Sequence, residues 1–258
     1  MSPAITRTLV DVGLGSAVVG RTPFCAAAPA SVPVVGSLLD VDVERLVAVR
    51  PTTLLVQPAA AGIDPTLVDL ANRHDWTLAQ WKLDRLADVE RMLEELPASI
   101  GGASDGVVVA CGRRRAGLAA LERTPVANDA PRALLIVSVD PMSAAGRATF
   151  LDELIRGCGY RNAIEAGGYP DLSHEDLMRL APDVIVVLRD RPPDASEAEH
   201  IKERVLADDA LRARDESRFA IFADADVMLP SSAIVDVAAR LKTLVDSVRA
   251  PCASEVAR

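Results

Sequence analysis

The chain has 258 residues, half of them hydrophobic, with 37 acidic and 28 basic side chains and a formal net charge of −9. This length and apolar content supply one large core or two of ordinary size. The acidic balance excludes the broad basic face that nucleic-acid phosphates require, since the longest basic cluster is Arg113-Arg114-Arg115, which suits the solvated side of a helix.

Residues 4–12 read as a helix with Ile5, Leu9 and Val12 on one face, stopped by Gly13. Gly13-Leu14-Gly15 is not a dinucleotide fingerprint, because Val18 stands where the third glycine belongs and no strand precedes it. Residues 17–20 predict a short strand and residues 22–33 a loop that exposes Phe24 and Cys25. A short helix from Asp42 and a buried strand at Leu54-Leu55-Val56 follow. Then come a loop (58–64), a helix (67–73), a strand (76–80) and a charged helix (83–96). Residues 104–123 carry a long stripe of Val107, Val108, Cys111, Leu118 and Leu121. At about 1.5 Å per residue this helix spans roughly 30 Å, a length suited to a rod joining two lobes.

In the second half, residues 132–139 and 183–188 are continuous apolar runs, the pattern of strands covered on both faces in a parallel sheet. Asp140-Pro141 closes the first run. Between them, helices are expected over 144–157 and 173–180. Beyond them lie helices at 197–207 and 210–214, a strand at 218–223, a loop at 224–230 and a final helix at 232–248 capped by Ser231. The tail after Pro251 is expected to fray.

An offset of 131 lays the first half on the second: Gly36 falls on Gly167, Asp42 on Ser173, Glu44 on Glu175, Pro51 on Pro182 and Leu54 on Ile185. Each copy reads as a capping residue, a carboxylate in the first turn, a short helix, a proline and a buried strand. The duplication predicts two similar lobes. The expected fold class is α/β, with two Rossmann-like lobes of mostly parallel strands (1–103 and 124–258) joined by one backbone helix (104–123).

Cys25, Cys111, Cys158 and Cys252 are widely spaced, with no CxxC and no nearby histidine, which sets aside a zinc site and a dense disulfide framework. His74, His174 and His200 lack i,i+4 spacing, and His174-Glu175 is not HExxH because Met178 holds the second histidine position. No metal site is expected. No run reaches the roughly 18 apolar residues that cross a bilayer. The N-terminal residues also lack the basic, apolar and small-residue order of a secretory leader.

The segment DPMSAAGRATFLDELIRGCGYRNAIEAGGYPDLSHEDLMRLAPDVIVVL (140–188) closely resembles the C-terminal lobe of periplasmic substrate-binding proteins of ABC transporters for cobalamin and ferric siderophores. VGRTPFC (19–25) and VVGSLLDVDVERLVAVRPTTLLV (34–56) resemble the N-terminal lobe, and FADADVMLPSSAIVDVAARL resembles the closing strand and helix. The resemblance implies a non-enzymatic, monomeric binding protein outside the cytoplasm. It would have no resident cofactor, hold a bulky metal chelate between its lobes and deliver it to an ABC permease. It assigns Glu44 and Glu175 to permease arginines.

The chain departs from that pattern in places. Family members place a signal peptide and a first strand before the helix that begins here at Ser2-Pro3, so the expectation is either a start codon assigned too late or a cytoplasmic or truncated relative without that strand, for which low thermal stability is expected. That departure leaves a cytoplasmic carrier or sensor open. The usual aspartate after the N-lobe proline is Thr52, and only 3% of residues are aromatic.

Ligands of open α/β sheets sit beyond the carboxyl ends of the strands. That selects Phe24, Gln57, Trp81, Asp140, Met142, Arg189 and Arg191, with Asp224 and Asp226 after the last strand and Tyr169 entering from the turn before the repeated helix. Phe24, Trp81 and Tyr169 suit the face of a flat macrocycle, and Arg189 and Arg191 suit anionic groups. Cobalamin is favoured because Thr22-Pro23-Phe24-Cys25 resembles a segment of the cobalamin-like branch, with a ferric siderophore or haem next. The competing reading is a tetrapyrrole chelatase, which would need a titratable side chain in the cleft.

Overall fold

The computed structural model describes residues 2–37, 40–207 and 209–249. The chain divides into two units, Met1–Ala119 with Leu229–Ala233, and Ala120–Met228 with Ile234–Arg258. The division falls inside the long helix foreseen at 104–123.

Unit 1 begins with α1 (Pro3–Asp11), whose N-cap Ser2 accepts the Ile5 N–H and whose first position is the proline favoured there. It continues through α2 (Val43–Ala48), β1 (Thr53–Val56), α3 (Pro65–His74), β2 (Thr77–Gln80), α4 (Leu86–Ser99) and α5 (Asp105–Glu122). β1 and β2 are parallel, in register from Thr53 opposite Thr77 to Val56 opposite Gln80. Leu54 and Val56 point into a core with Val35, Leu46, Leu67, Leu70 and Ala71. The strand expected at 17–20 does not form: Gly15–Ala17 is a 3-10 turn, and the nearest extended pairing is a single bridge from Arg21 to Val34. A strand needs a partner edge along its length, and one bridge does not supply it.

Unit 2 is built on β3 (Arg132–Val139), with β4 (Met142–Ala144), α6 (Phe150–Gly157), β5 (Arg161–Asn162), α7 (His174–Leu180), β6 (Val184–Arg189), α8 (Ala195–Val205), α9 (Asp209–Asp215), β7 (Phe219–Ala223) and α10 (Ile234–Arg249). The sheet order is β4-β3-β6-β7, with β5 also on β3; β3, β6 and β7 run parallel. Val184 to Leu188 are all buried, as the unbroken apolar run required.

The helix foreseen over 144–157 starts later. The chain turns at Asp140-Pro141 and returns as β4, antiparallel to β3. Thr149 then caps α6 by accepting the Asp152 N–H at 3.1 Å.

The duplication is visible in both units. Asp42 and Ser173 each cap the helix that follows, accepting from Arg45 and Asp176. α2 and α7 begin at Val43 and His174, and β1 and β6 at Thr53 and Val184, each pair separated by the same 131 positions.

Candidate functional site

In unit 1 the carboxyl ends of β1 and β2 lead directly into Gln57 and Trp81. The Gln57 Oε1 accepts a hydrogen bond from Ser2 Oγ at 2.8 Å. Trp81 requires a correction: its side chain is 3% exposed and its indole N–H donates to Glu95 at 2.7 Å. With a polar partner satisfied and both faces packed, it is a core residue and presents no ring to a macrocycle.

Phe24 is the opposite case, 71% exposed at the tip of a turn. The hydroxyls of Thr6 and Thr22 each lie 3.1 Å from the Cys25 sulfur, and the Thr22 hydroxyl accepts the Phe24 N–H at 3.3 Å. This buried polar anchor pins Cys25 inward and turns its neighbour outward.

In unit 2 the tip of the β3–β4 hairpin carries Asp140, which accepts from Arg204 at 2.9 Å. Met142 also requires a correction. It lies in β4 rather than a loop, 7% exposed and packed in the core with Leu134 and Ile136. The hairpin turns that side chain back over the sheet.

Beside β4 runs the segment that presents Tyr169. Ala144 N–H donates to Pro170, Gly146 N–H to Gly168 and Leu172 N–H to Met142. A Cβ on Gly146 would meet the Ala166 carbonyl oxygen at 2.2 Å, so only glycine permits this approach. Tyr169, in the middle of the latched segment, remains 48% exposed.

At the carboxyl end of β6, Arg189 and Arg191 share one carboxylate. Arg189 Nη2 lies 2.8 Å from Glu197 Oε1 and Arg191 Nη1 3.0 Å from Glu197 Oε2. Two guanidinium groups against one carboxylate leave a net positive charge, and the Arg189 Nε is buried without a hydrogen-bond acceptor among the described residues. Guanidinium geometry suits carboxylate or phosphate. Nearby, the Asp224 N–H donates to the Arg189 carbonyl, while its carboxylate is held by Arg240 at 2.6 Å.

Glu44 and Glu175 are both exposed in the first turns of α2 and α7. Among the described residues no group of three or more His, Cys, Asp or Glu is arranged to hold a metal ion. His174 is engaged by the Arg204 carbonyl at 2.8 Å, and His74 stacks on Trp76 with ring centroids 4.7 Å apart.

No protein-family model matches the sequence, and no curated protein matches it. Solved structures do. The periplasmic heme-binding protein BhuT, in complex with two hemes, matches with a TM-score of 0.75 at 20% identity, over 96% of this chain and 97% of that one. The periplasmic vitamin B12 binding protein BtuF of Vibrio cholerae matches at 0.68 and 16%, over 97% and 96%. The periplasmic heme binding protein HutB of Vibrio cholerae matches at 0.74 and 15%, over 94% and 96%. The chain has their fold. The two-lobe α/β architecture expected from the 131-residue repeat agrees with it.

Proposed function

We propose that the protein is the substrate-binding component of an ABC importer, acting outside the cytoplasm, and that it captures a metal tetrapyrrole without chemical conversion. The observation that carries this reading is the likeness of fold over nearly the whole chain to proteins whose names record heme or vitamin B12 binding. In unit 2 the arginine pair at Glu197 and the exposed Tyr169 fit a flat ligand with anionic substituents. Phe24 and Gln57 are the corresponding candidates of unit 1, and Asp140 is retained beside Arg204.

Cobalamin is the first ligand, on the resemblance of Thr22-Pro23-Phe24-Cys25 to the cobalamin-like branch, and heme the second; a phosphodiester and a propionate meet the same guanidinium chemistry. Glu44 and Glu175 are the permease-docking carboxylates. Isothermal titration with cyanocobalamin, and in parallel with hemin and a ferric hydroxamate, tests the reading. Saturable one-to-one binding of a tetrapyrrole supports it, and binding of the hydroxamate alone or of none refutes it.

A further inference from the structure

The 18-residue helix α5 buries Val107, Cys111 and Leu118 on one face. At about 3.6 residues per turn, Val109 lies directly opposite that face. It is 59% exposed, and Val108 beside it is 49% exposed. Asp105, Gly106, Gly112 and Arg113 are exposed around the two valines. A Cβ on Gly112 would meet nothing within 4 Å, and one on Gly106 only the Ser104 hydroxyl at 3.8 Å. An aliphatic knob thus stands between two shallow holes, three residues away on either side.

Asp105, Val109 and Arg113 follow at four-residue spacing and form one ridge, with a negative and a positive charge equally far from the central valine. Neither charged group has an ion pair among the described residues. Ridges of this spacing, laid alongside each other, cross two helices at about −50°, the commonest angle in globular proteins. For two copies of the ridge related by a two-fold axis, only two senses exist. In one, Asp105 lies beside Asp105 of the other copy and Arg113 beside Arg113; in the other, each Asp105 lies beside an Arg113. Like charges set against each other are costly, so the second sense is selected. The ridge is then its own complement, the property that a two-fold interface requires.

We propose that this face of α5 joins two copies of the chain, with Val109 at the two-fold axis, Asp105 paired with Arg113 of the second copy, and the valines seated over Gly106 and Gly112. The ridge is only roughly 12 Å long at about 1.5 Å per residue, and such a contact falls short of the roughly 800 Å² per partner of a standard interface. The dimer is therefore weak and forms as concentration rises. None of the candidate ligand or permease residues is on α5, so the pairing does not depend on which ligand the protein carries.

Sedimentation velocity over a wide range of concentration tests it. The unaltered chain is expected to pass from monomer to dimer, and to do so less readily in high salt. Asp105→Arg and Arg113→Asp each set like charges together, and each is expected to weaken the dimer by about tenfold or more in dissociation constant. Mixed in equal amounts, the two variants present opposite charges at both contacts, and a dimer as tight as the original is expected to return. Gly112→Leu fills a hole and is expected to abolish the dimer, with a melting temperature unchanged or higher. The melting temperatures identify any variant that has failed to fold.

A chain that is monomeric at every concentration overturns the proposal. So does a dimer that both charge reversals leave intact, which places the contact on another surface. Failure of the two folded variants to associate when mixed also overturns it, since the charges then do not face each other.

Discussion

Arg50 and Ala181, which stand 131 positions apart, hold the same left-handed backbone conformation, with φ of 48° and 42°. Each closes the repeated helix, through Arg50 N–H to Val47 and Ala181 N–H to Leu177, and each is followed by a proline that disfavours further helix. The strand then begins at Thr53 or Val184. Two unlike side chains accept a conformation that costs a non-glycine residue about 1 kcal/mol or more, so the path from helix to buried strand dictates the turn. Arg50→Gly and Ala181→Gly are each expected to raise stability by up to about 1 kcal/mol. Denaturant unfolding of the two variants measures it, and a loss in both contradicts the assignment of strain.

The shared carboxylate at Arg189 and Arg191 gives two opposite mutational effects. Arg189→Ala is expected to weaken binding of an anionic tetrapyrrole about tenfold, or ~1.4 kcal/mol. Glu197→Gln, which frees both guanidinium groups, is expected to tighten it. Titration calorimetry on the two variants distinguishes a ligand-binding pair from a purely structural ion pair, for which Glu197→Gln brings no gain.

Gly146→Ala sets a methyl group against the Ala166 carbonyl, 2.2 Å away. Backbone must move, at a cost of about 1–3 kcal/mol, and the segment carrying Tyr169 moves with it. Both a lower melting temperature and weaker ligand binding are expected; an unchanged melting temperature is inconsistent with the latch.

Burial pushes the Cys158 thiol up to about 12 from an ordinary 9.0. The folded state thus keeps a proton that the unfolded chain releases. Its contribution to stability is complete below pH 9 and is lost as pH rises from there toward 12. Cys158 is expected to resist alkylation at pH 8 until the chain is unfolded, and Cys158→Ala is expected to flatten the alkaline limb of the stability profile. Rapid labelling of native protein contradicts this.

Glu44→Ala and Glu175→Ala remove exposed carboxylates from the first turns of two short helices. Ligand affinity is expected to stay unchanged, while uptake through a reconstituted permease falls, most strongly in the double variant. Loss of affinity in either variant argues against a docking role.

The repeat was legible in the sequence because each of its parts is local: a capping side chain, a proline, and an apolar run of strand length. What was missed depends on distant neighbours. The three residues of β4 are too few to show alternation, so Ala144 was absorbed into a helix and Met142 into a loop. The Trp81 ring looked available because its partner, Glu95, lies a helix away. The need for glycine at position 146 arises from a carbonyl twenty residues later. Arg189 and Arg191 were legible as a cationic pair, but the carboxylate between them was not.

The burial of Trp81 against Glu95, with Trp76 stacked on His74, gives the protein a built-in optical division. Both tryptophans belong to unit 1, whereas both tyrosines, Tyr160 and Tyr169, belong to unit 2. Selective indole emission therefore reports the melting of the N-terminal half alone, and a comparison with circular dichroism of the whole chain reveals, without any label, whether the halves unfold together or in turn.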